Sequence, residues 1–310
     1  MRADMKSAAT LHRTALVAAI LTYALLALGG LVTSRDAGMI FPDWPLSNGS
    51  INPDGWLSNA DKFSEHGHRI LGALVGMATI ALAVLLTLRD PRSWMKILGW
   101  VAVVSVTAQG ILGGIRVTEI STFLAMFHGC TGQMFFGLVV ALAYFTSRDG
   151  REPPERGSDT RAAFAVAAGA AFATLAQIVL GARVRHINGP LNNHLYGALI
   201  VTGCALVLVT LILLRNRDRR ALVTPALVMF GVLLVQVVLG LATAVVLSPG
   251  SRTYDVTFWQ IASPSLHQAV GALLLALQIR IALRAWRRRA PVALDAPARP
   301  VPPARQEVMA

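Results

Sequence analysis

Cysteine and charge are both scarce in this chain. Its 310 residues include two cysteines, Cys130 and Cys204, each inside an apolar stretch. A disulfide between external loops is therefore excluded. No CxxCH motif is present, so no haem is attached through that thioether signature, and the two thiols read as small buried side chains. Charged residues make up 14% of the chain against 55% hydrophobic, and the mean hydropathy is +0.57. Such a balance excludes an ordinary soluble domain. The net charge is +12, yet the basic residues are scattered between apolar stretches instead of lining one face or tail. That distribution is not the mark of a nucleic-acid-binding protein.

What the chain has in excess is long apolar sequence. Eight blocks reach bilayer-spanning length: residues 11–33, 64–88, 94–115, 121–146, 162–182, 192–214, 221–247 and 264–285. The first lacks a convincing cleavage site and seven others follow, so it reads as a helix and not as a removable signal. The expected fold is an all-α polytopic membrane protein with eight transmembrane helices. Of the 28 Lys and Arg residues, 21 fall in one alternating set of segments that includes both ends of the chain. The other set holds seven: Arg35, Lys62, Arg69, Arg116, Arg183, Arg185 and Arg252. The positive-inside rule then places both termini in the cytoplasm of a bacterial cell, with the protein in the inner membrane.

A linker at 147–161, carrying Pro153-Pro154 and several charges, divides the chain into halves 1–146 and 162–289. Residues 290–310 are rich in Pro and Ala and are expected to be disordered. The one long outer loop, 34–63, contains Pro42-Asp43-Trp44-Pro45, Asn48-Gly49 and Trp56. Turn formers and tryptophans at that density predict an ordered lid, partly interfacial.

The halves repeat each other. Gln109 to Gly114, Gln177 to Ala182 and Gln236 to Leu241 share a Gln-x-x-x-Gly pattern, and Leu28-Gly29-Gly30 stands in the matching place of block one without the glutamine. Such small-residue notches let helices approach closely, or let a flat ligand lie against backbone. Two similar sets of four helices are expected.

Four of the seven histidines, His68, His128, His194 and His267, occur one per even-numbered block, each a few residues inside its outward end. Gly72, Gly132, Ala198 and Gly271 follow them by one turn. Imidazoles at equal depth, each with space beside it, suit a macrocycle seen edge-on, and two facing rings would supply both axial ligands of an iron porphyrin. Four imidazoles could instead hold copper or zinc, although a bare ion needs no such space. The expected pairs are His68 with His128 and His194 with His267. His66 is expected to face the loop or the headgroups. His186 is placed in a short outer loop with Arg183 and Arg185. Both read as solvated surface, and His12 as a cytoplasmic edge residue.

Glu65 breaks the repeat. It precedes His68 by three residues and shares its face; Ala125, Leu191 and Pro264 stand at the corresponding places. Two similar cavities with different tasks are implied, one reactive and one holding a permanent cofactor. Glu65 then serves as a proton donor or as a charge that stabilises a developing cation. The alternative is a simple ion pair with Arg69 or Lys62. Arg69, Arg116, Arg183, Arg185 and Arg252 lie near the outer mouths and suit porphyrin propionates.

These stretches together resemble the haem A synthase family. The likeness rests on Gly29 to Thr33, Pro42-Asp43-Trp44-Pro45 with Asn48-Gly49, and Glu65-His66-Gly67-His68-Arg69. It rests also on Gln109 to Gly114 with Arg116-Val117-Thr118, on Phe127-His128-Gly129, on Asn193-His194-Leu195 and on Leu266-His267-Gln268. It implies two pseudosymmetric four-helix bundles, with haem B as cofactor on His194 and His267, where Arg183, Arg185 and Arg252 are the arginines nearby. It implies the substrate haem O on His68 and His128, with Arg69 and Arg116 beside it, and Glu65 as the catalytic carboxylate. The implied reaction oxidises the C8 methyl of haem O to a formyl group by successive hydroxylation. Haem O synthase and a quinone or other redox partner are the implied partners. Many bacterial members carry a cysteine pair in the first outer loop, and this chain has none there. The rival readings are a membrane dihaem b-type cytochrome exchanging electrons with quinone, and a haem transporter.

Overall fold

The computed structural model describes residues 2–152, 160–248 and 256–288. Within these, eight helices are long and apolar enough to cross a membrane. They are α1 (Arg2–Ser34), α2 (Ala60–Arg89), α3 (Ser93–Thr118), α4 (Thr122–Thr146), α6 (Arg161–Ile187), α7 (Leu191–Arg215), α8 (Arg220–Val246) and α9 (Phe258–Arg287), with a single helical turn, α5 (Arg148–Arg151), between the halves. Helix is the only economical answer for such stretches, because every backbone polar group in hydrocarbon must find its partner within the segment.

Local chemistry sets the ends. Asn59 caps α2 by accepting from the Asp61 and Lys62 amides, and Ser121 caps α4 through Leu124 N. Thr257 and Gln260 form a capping box that starts α9 at Phe258. Pro264 therefore lies inside this helix and does not begin it as the eighth apolar block suggested. α6 also runs further than expected, ending at Asn188 in the left-handed conformation (φ 52°). Arg183, Arg185 and His186 are thus helical and not part of an outer loop.

The helices pack as two closed rings, α1–α2–α3–α4 and α6–α7–α8–α9. Between the rings, α1 meets α9, α4 meets α6, and α4 meets α9. Exchanging α1 with α6 and α4 with α9 maps this set of contacts onto itself, the signature of a pseudo-two-fold repeat. α9 is the most enclosed helix: half of its most apolar window is buried, against at most 28% in any other span.

Each ring has its own apolar core, and both lie at the end away from the α1–α2 loop. Leu11, Leu86, Met95 and Leu142 close the first; Ala163, Ile212, Leu222 and Ile281 close the second. The loop end of each ring is where the histidines lie.

An ionic cluster ties the far ends together. Asp90 is buried and bridges Arg92 at 2.8 Å and Arg151 at 3.3 Å. Asp149 of α5 reaches Arg284 at 3.1 Å and Arg288 at 3.5 Å on α9. The linker region expected at 147–161 thus begins with an ordered turn; residues 153–159 and the tail 290–310 lie outside the described residues. Burial alone would raise the Asp90 carboxyl, but the hydrogen bonds from Arg92 and the charge of Arg151 outweigh it and hold it below its ordinary value of 3.8. A depressed carboxyl contributes stability that is present above the unfolded-state value and is lost as pH falls through the folded one. Replacing Asp90 by Asn should lower the thermal midpoint in detergent by the equivalent of about 1.5–3 kcal/mol. It should also flatten the loss of stability on acidification below pH 3.8, both read from unfolding curves at several pH values.

Candidate functional site

The histidines pair as the repeat demands. His68 and His128 face each other with ring centroids 6.5 Å apart and planes at 77°. His194 and His267 do the same at 6.2 Å and 79°. Two imidazole nitrogens each about 2 Å from one metal, with about 1.1 Å from nitrogen to ring centre, set the centroids roughly 6.2 Å apart. Both pairs therefore have the spacing of a bis-histidine axial site. Nδ1 of His68, His128 and His267 is buried without a hydrogen-bond partner. Among the described residues no three His, Cys, Asp or Glu side chains converge on one point, which counts against a bare ion bound by four imidazoles.

Each ring is seated on a glycine of the neighbouring odd-numbered span. A β-carbon at Gly29 would stand 3.1 Å from His68 Cε1, and one at Gly113 3.3 Å from His128 Cε1. At Gly181 and Gly240 the distances to His194 and His267 are 2.8 and 2.9 Å. The notches thus receive imidazoles, a use that the bare pattern of small residues does not reveal. Each ring also interacts with a backbone group four residues before its glycine, at Leu25, Gln109, Gln177 and Gln236 respectively.

Two notches carry a second glycine, and each takes a second guest. Gly114 lies under the indole of Trp44, with Cδ2 2.5 Å from where a β-carbon would be. Gly30 lies under the amide of Gln268, whose Nε2 donates to Leu26 O at 3.2 Å across the seam between the bundles. In the second half the corresponding residues are Ala182 and Leu241.

The loop at residues 35–59 is an ordered structure held from below by the Glu65 segment. Asp43 accepts from the Asn48 and Gly49 amides, each at 2.7 Å; these bonds, that of Gly49 foremost, hold its carboxyl below the ordinary carboxylate range. Asn48 and Gly49 adopt positive φ, which explains their residue types at this turn. Glu65 is buried. Its Oε1 pairs with Arg69 at 2.5 Å and its Oε2 accepts from Phe41 N at 3.0 Å. Arg69 also donates to the carbonyls of Phe41, Asp43 and Leu46. The ion pair with Arg69 weighed from sequence is present, and in this structure Arg69 serves the loop: its terminal nitrogens are spent on backbone oxygens and Glu65.

His66 faces the loop, one of the two settings expected of it, but not as solvated surface. It is buried, not solvated: Nδ1 lies 2.9 Å from Ser47 Oγ, and its ring packs against Trp56 and Phe41 at 4.9 and 6.0 Å. The two-residue offset from His68 turns it toward the loop, where aromatic residues far along the sequence enclose it. His186 is half-buried, in the electrostatic range of Arg185 and Arg116.

Arg116 donates to Gly38 O at 2.8 Å and feels both Glu65 and Arg69. Arg185 donates to Ser34 Oγ at 2.6 Å, with its Nε buried and unpartnered. Both guanidiniums retain donors that could meet a carboxylate beside the histidine pairs. Arg183 is exposed, and Arg252 lies outside the described residues. Sequence reasoning missed Trp44 against Gly114, Gly38 beneath Arg116, and the Ser34–Ser265 contact at 2.7 Å. The doubled glycines were the available signal.

The chain is similar to known proteins over part of its length. Residues 57–192 match the family described as cytochrome oxidase assembly protein, COX15-CtaA. The chain is 31% identical over 140 residues to the Heme A synthase of Maricaulis maris, covering 41% of this chain and 40% of that one. It is 30% identical over 125 residues to the Heme A synthase of Rhizobium rhizogenes, 37% and 34% of the two chains. A third match, 31% over 127 residues, is to the Protoheme IX farnesyltransferase of Haloarcula marismortui, 41% of this chain and 27% of that protein. The matches span no more than 40% of these curated relatives. The likeness to the COX15-CtaA family and to heme A synthases thus extends over less than half of this chain. The family match contains Glu65, His68, Arg69, Arg116 and His128 and stops at residue 192, before His194 and His267.

The Trp44 seat gives a direct test. A methyl group at position 114 meets a rigid indole and not a flexible chain end. Gly114→Ala should therefore displace the loop at a cost of about 1–3 kcal/mol. The expected outcome is faster proteolysis within residues 35–59, relieved when Trp44→Ala is added.

Proposed function

We propose that the chain is a membrane haem A synthase that oxidises the C8 methyl of haem O to a formyl group. The substrate haem is received between His68 and His128, and haem B is held between His194 and His267. Glu65 is the catalytic carboxylate. The observation that carries this reading is the asymmetry between two otherwise matching histidine pairs. The pair spacings and ring angles are nearly equal, yet among the described residues only the first pair adjoins a buried carboxylate, its guanidinium clamp and an ordered loop. The relatives' printed names, Heme A synthase and Protoheme IX farnesyltransferase, both concern haem.

Oxidation of a methyl to a formyl group with water as oxygen source releases four protons and four electrons per molecule. Haem B, when bound, supplies one-electron redox chemistry; a quinone or other redox partner takes the electrons onward, and haem O synthase supplies the substrate. The protein's own residues do the rest. The loop, gripped by Arg69, His66 and Glu65, covers the first pair and limits water. Arg116 offers its remaining donors to a propionate. Glu65, positioned by Arg69 and Phe41 N, accepts a proton from the entering water or stabilises positive charge at the reacting carbon. In the bacterial inner membrane this site opens toward the periplasm, with both termini in the cytoplasm.

Equal geometry of the pairs favours one other reading, a dihaem cytochrome that passes electrons to quinone. It gives Glu65 and its clamp no task. Glu65→Gln distinguishes the two, since the amide oxygen still accepts from Phe41 N, and Arg69, though it loses its carboxylate partner, keeps its bonds to the Phe41, Asp43 and Leu46 carbonyls. The expected result is a loss of haem A in pigment extracts by about 100-fold or more, with the haem of His194 and His267 retained. Undiminished conversion of haem O would overturn the assignment.

A further inference from the structure

The repeat carries one more asymmetry. The residue four before each seating glycine is Gln109 for His128, Gln177 for His194 and Gln236 for His267, but Leu25 for His68. Two of the three glutamines reach their imidazoles in this structure. Gln177 Nε2 lies 3.0 Å from His194 Nδ1 and donates to His194 O at 2.7 Å. Gln236 Nε2 lies 3.5 Å from His267 Nε2. Gln109 is turned to Thr131 Oγ1, at 2.6 Å. The side-chain oxygens of all three are buried and have no partner.

The amides also cover the next turn of each histidine helix. A β-carbon at Gly132 would meet Gln109 Oε1 at 3.5 Å, and one at Gly271 would meet Gln236 Nε2 at 3.1 Å. In the third case Gln177 crowds Gly197, beside Ala198. Gly72, one turn beyond His68, has open space around it.

An imidazole that binds iron through Nε2 carries its proton on Nδ1. An amide N–H facing that proton is repelled. Rotating the side chain so that its unpartnered oxygen meets Nδ1 lets it accept that proton and fix both tautomer and ring orientation, at the cost of the bond to His194 O for Gln177 and to Thr131 Oγ1 for Gln109. The backbone group near each ring is common to all four sites, so it does not distinguish them. Only the side chain does.

We propose that Gln109, Gln177 and Gln236 are positioning residues that brace three of the four axial histidines, and that His68, facing Leu25 and the open side of Gly72, is the unbraced ligand that yields when haem enters or leaves. The proposal rests on the haem-binding reading above and adds an order to it: His128 keeps hold while His68 exchanges. The placement fits, because His68 sits in the segment whose neighbours Glu65, His66 and Arg69 hold the loop. Loop release and ligand release then act on the same helical turn.

The test uses purified full-length protein loaded with haem B in both halves. Haem release to excess apomyoglobin is followed in the Soret band, and the electron paramagnetic resonance spectrum of each low-spin site is recorded. Leu25→Gln should slow release from the first half by about tenfold or more, and Gln109→Leu should speed it by a similar factor. Gln236→Leu should leave first-half release unchanged while shifting the g-values and midpoint potential of the second-half haem. Unchanged release in both Leu25→Gln and Gln109→Leu proteins that still hold two haems would overturn the proposal and leave the functional reading standing. Failure of the wild-type chain to bind haem in either half would overturn that reading and the proposal with it.

Discussion

The site is organised by contact between an imidazole and a helix that has no side chain at the point of contact. A histidine on a membrane helix needs a polar partner or a ligand, because hydrocarbon offers it neither. Here each of four rings brings its Cε1 edge against the backbone of the preceding helix at Gly29, Gly113, Gly181 or Gly240. The contact sets how near neighbouring helices approach and where the ring points. Repeating it four times, with alternate helices as donors and receivers, yields two facing pairs from one local rule. The apolar cores at the far ends of the rings fix the helices from the other side, so the pairs are held between a packed end and a notched one.

From this shared frame the first half departs in a connected way. Its α3 notch has a second glycine for Trp44, its α2 carries the Glu65–Arg69 pair, and its α1–α2 connection is long enough to fold over the ring. None of these works alone. Trp44 needs Gly114, the loop backbone needs Arg69 to satisfy its carbonyls, and Glu65 is positioned by both Arg69 and the amide of Phe41. The second half has Ala182 and Leu241 where such a glycine would stand.

Much of this was legible in the sequence, for identifiable reasons. Spanning segments and the four histidines stand out because apolar length and rare polar residues are local properties. The pairing followed from the repeat. What the sequence concealed were contacts between distant segments. His66 reads as surface until Trp56, Phe41 and Ser47 close over it. Arg69 reads as free to meet a ligand until four loop and helix oxygens claim it. Pro264 looks like a helix start, yet the Thr257–Gln260 box begins the helix earlier. In each case the deciding partner lies elsewhere in the chain or in the capping chemistry just before it.

The tandem Gly29-Gly30 makes α1 a party wall: His68 rests on one glycine and Gln268, next to His267, on the other. Ser34, four residues on, joins Ser265 and Arg185 of the opposite bundle. A second half expressed by itself would turn Gln268, Ser265 and Arg185 toward lipid tails with their partners gone. Gene duplication could have produced the two bundles, but the wall between them now belongs to both, and neither can be inherited, transplanted or trimmed without rebuilding the other's face.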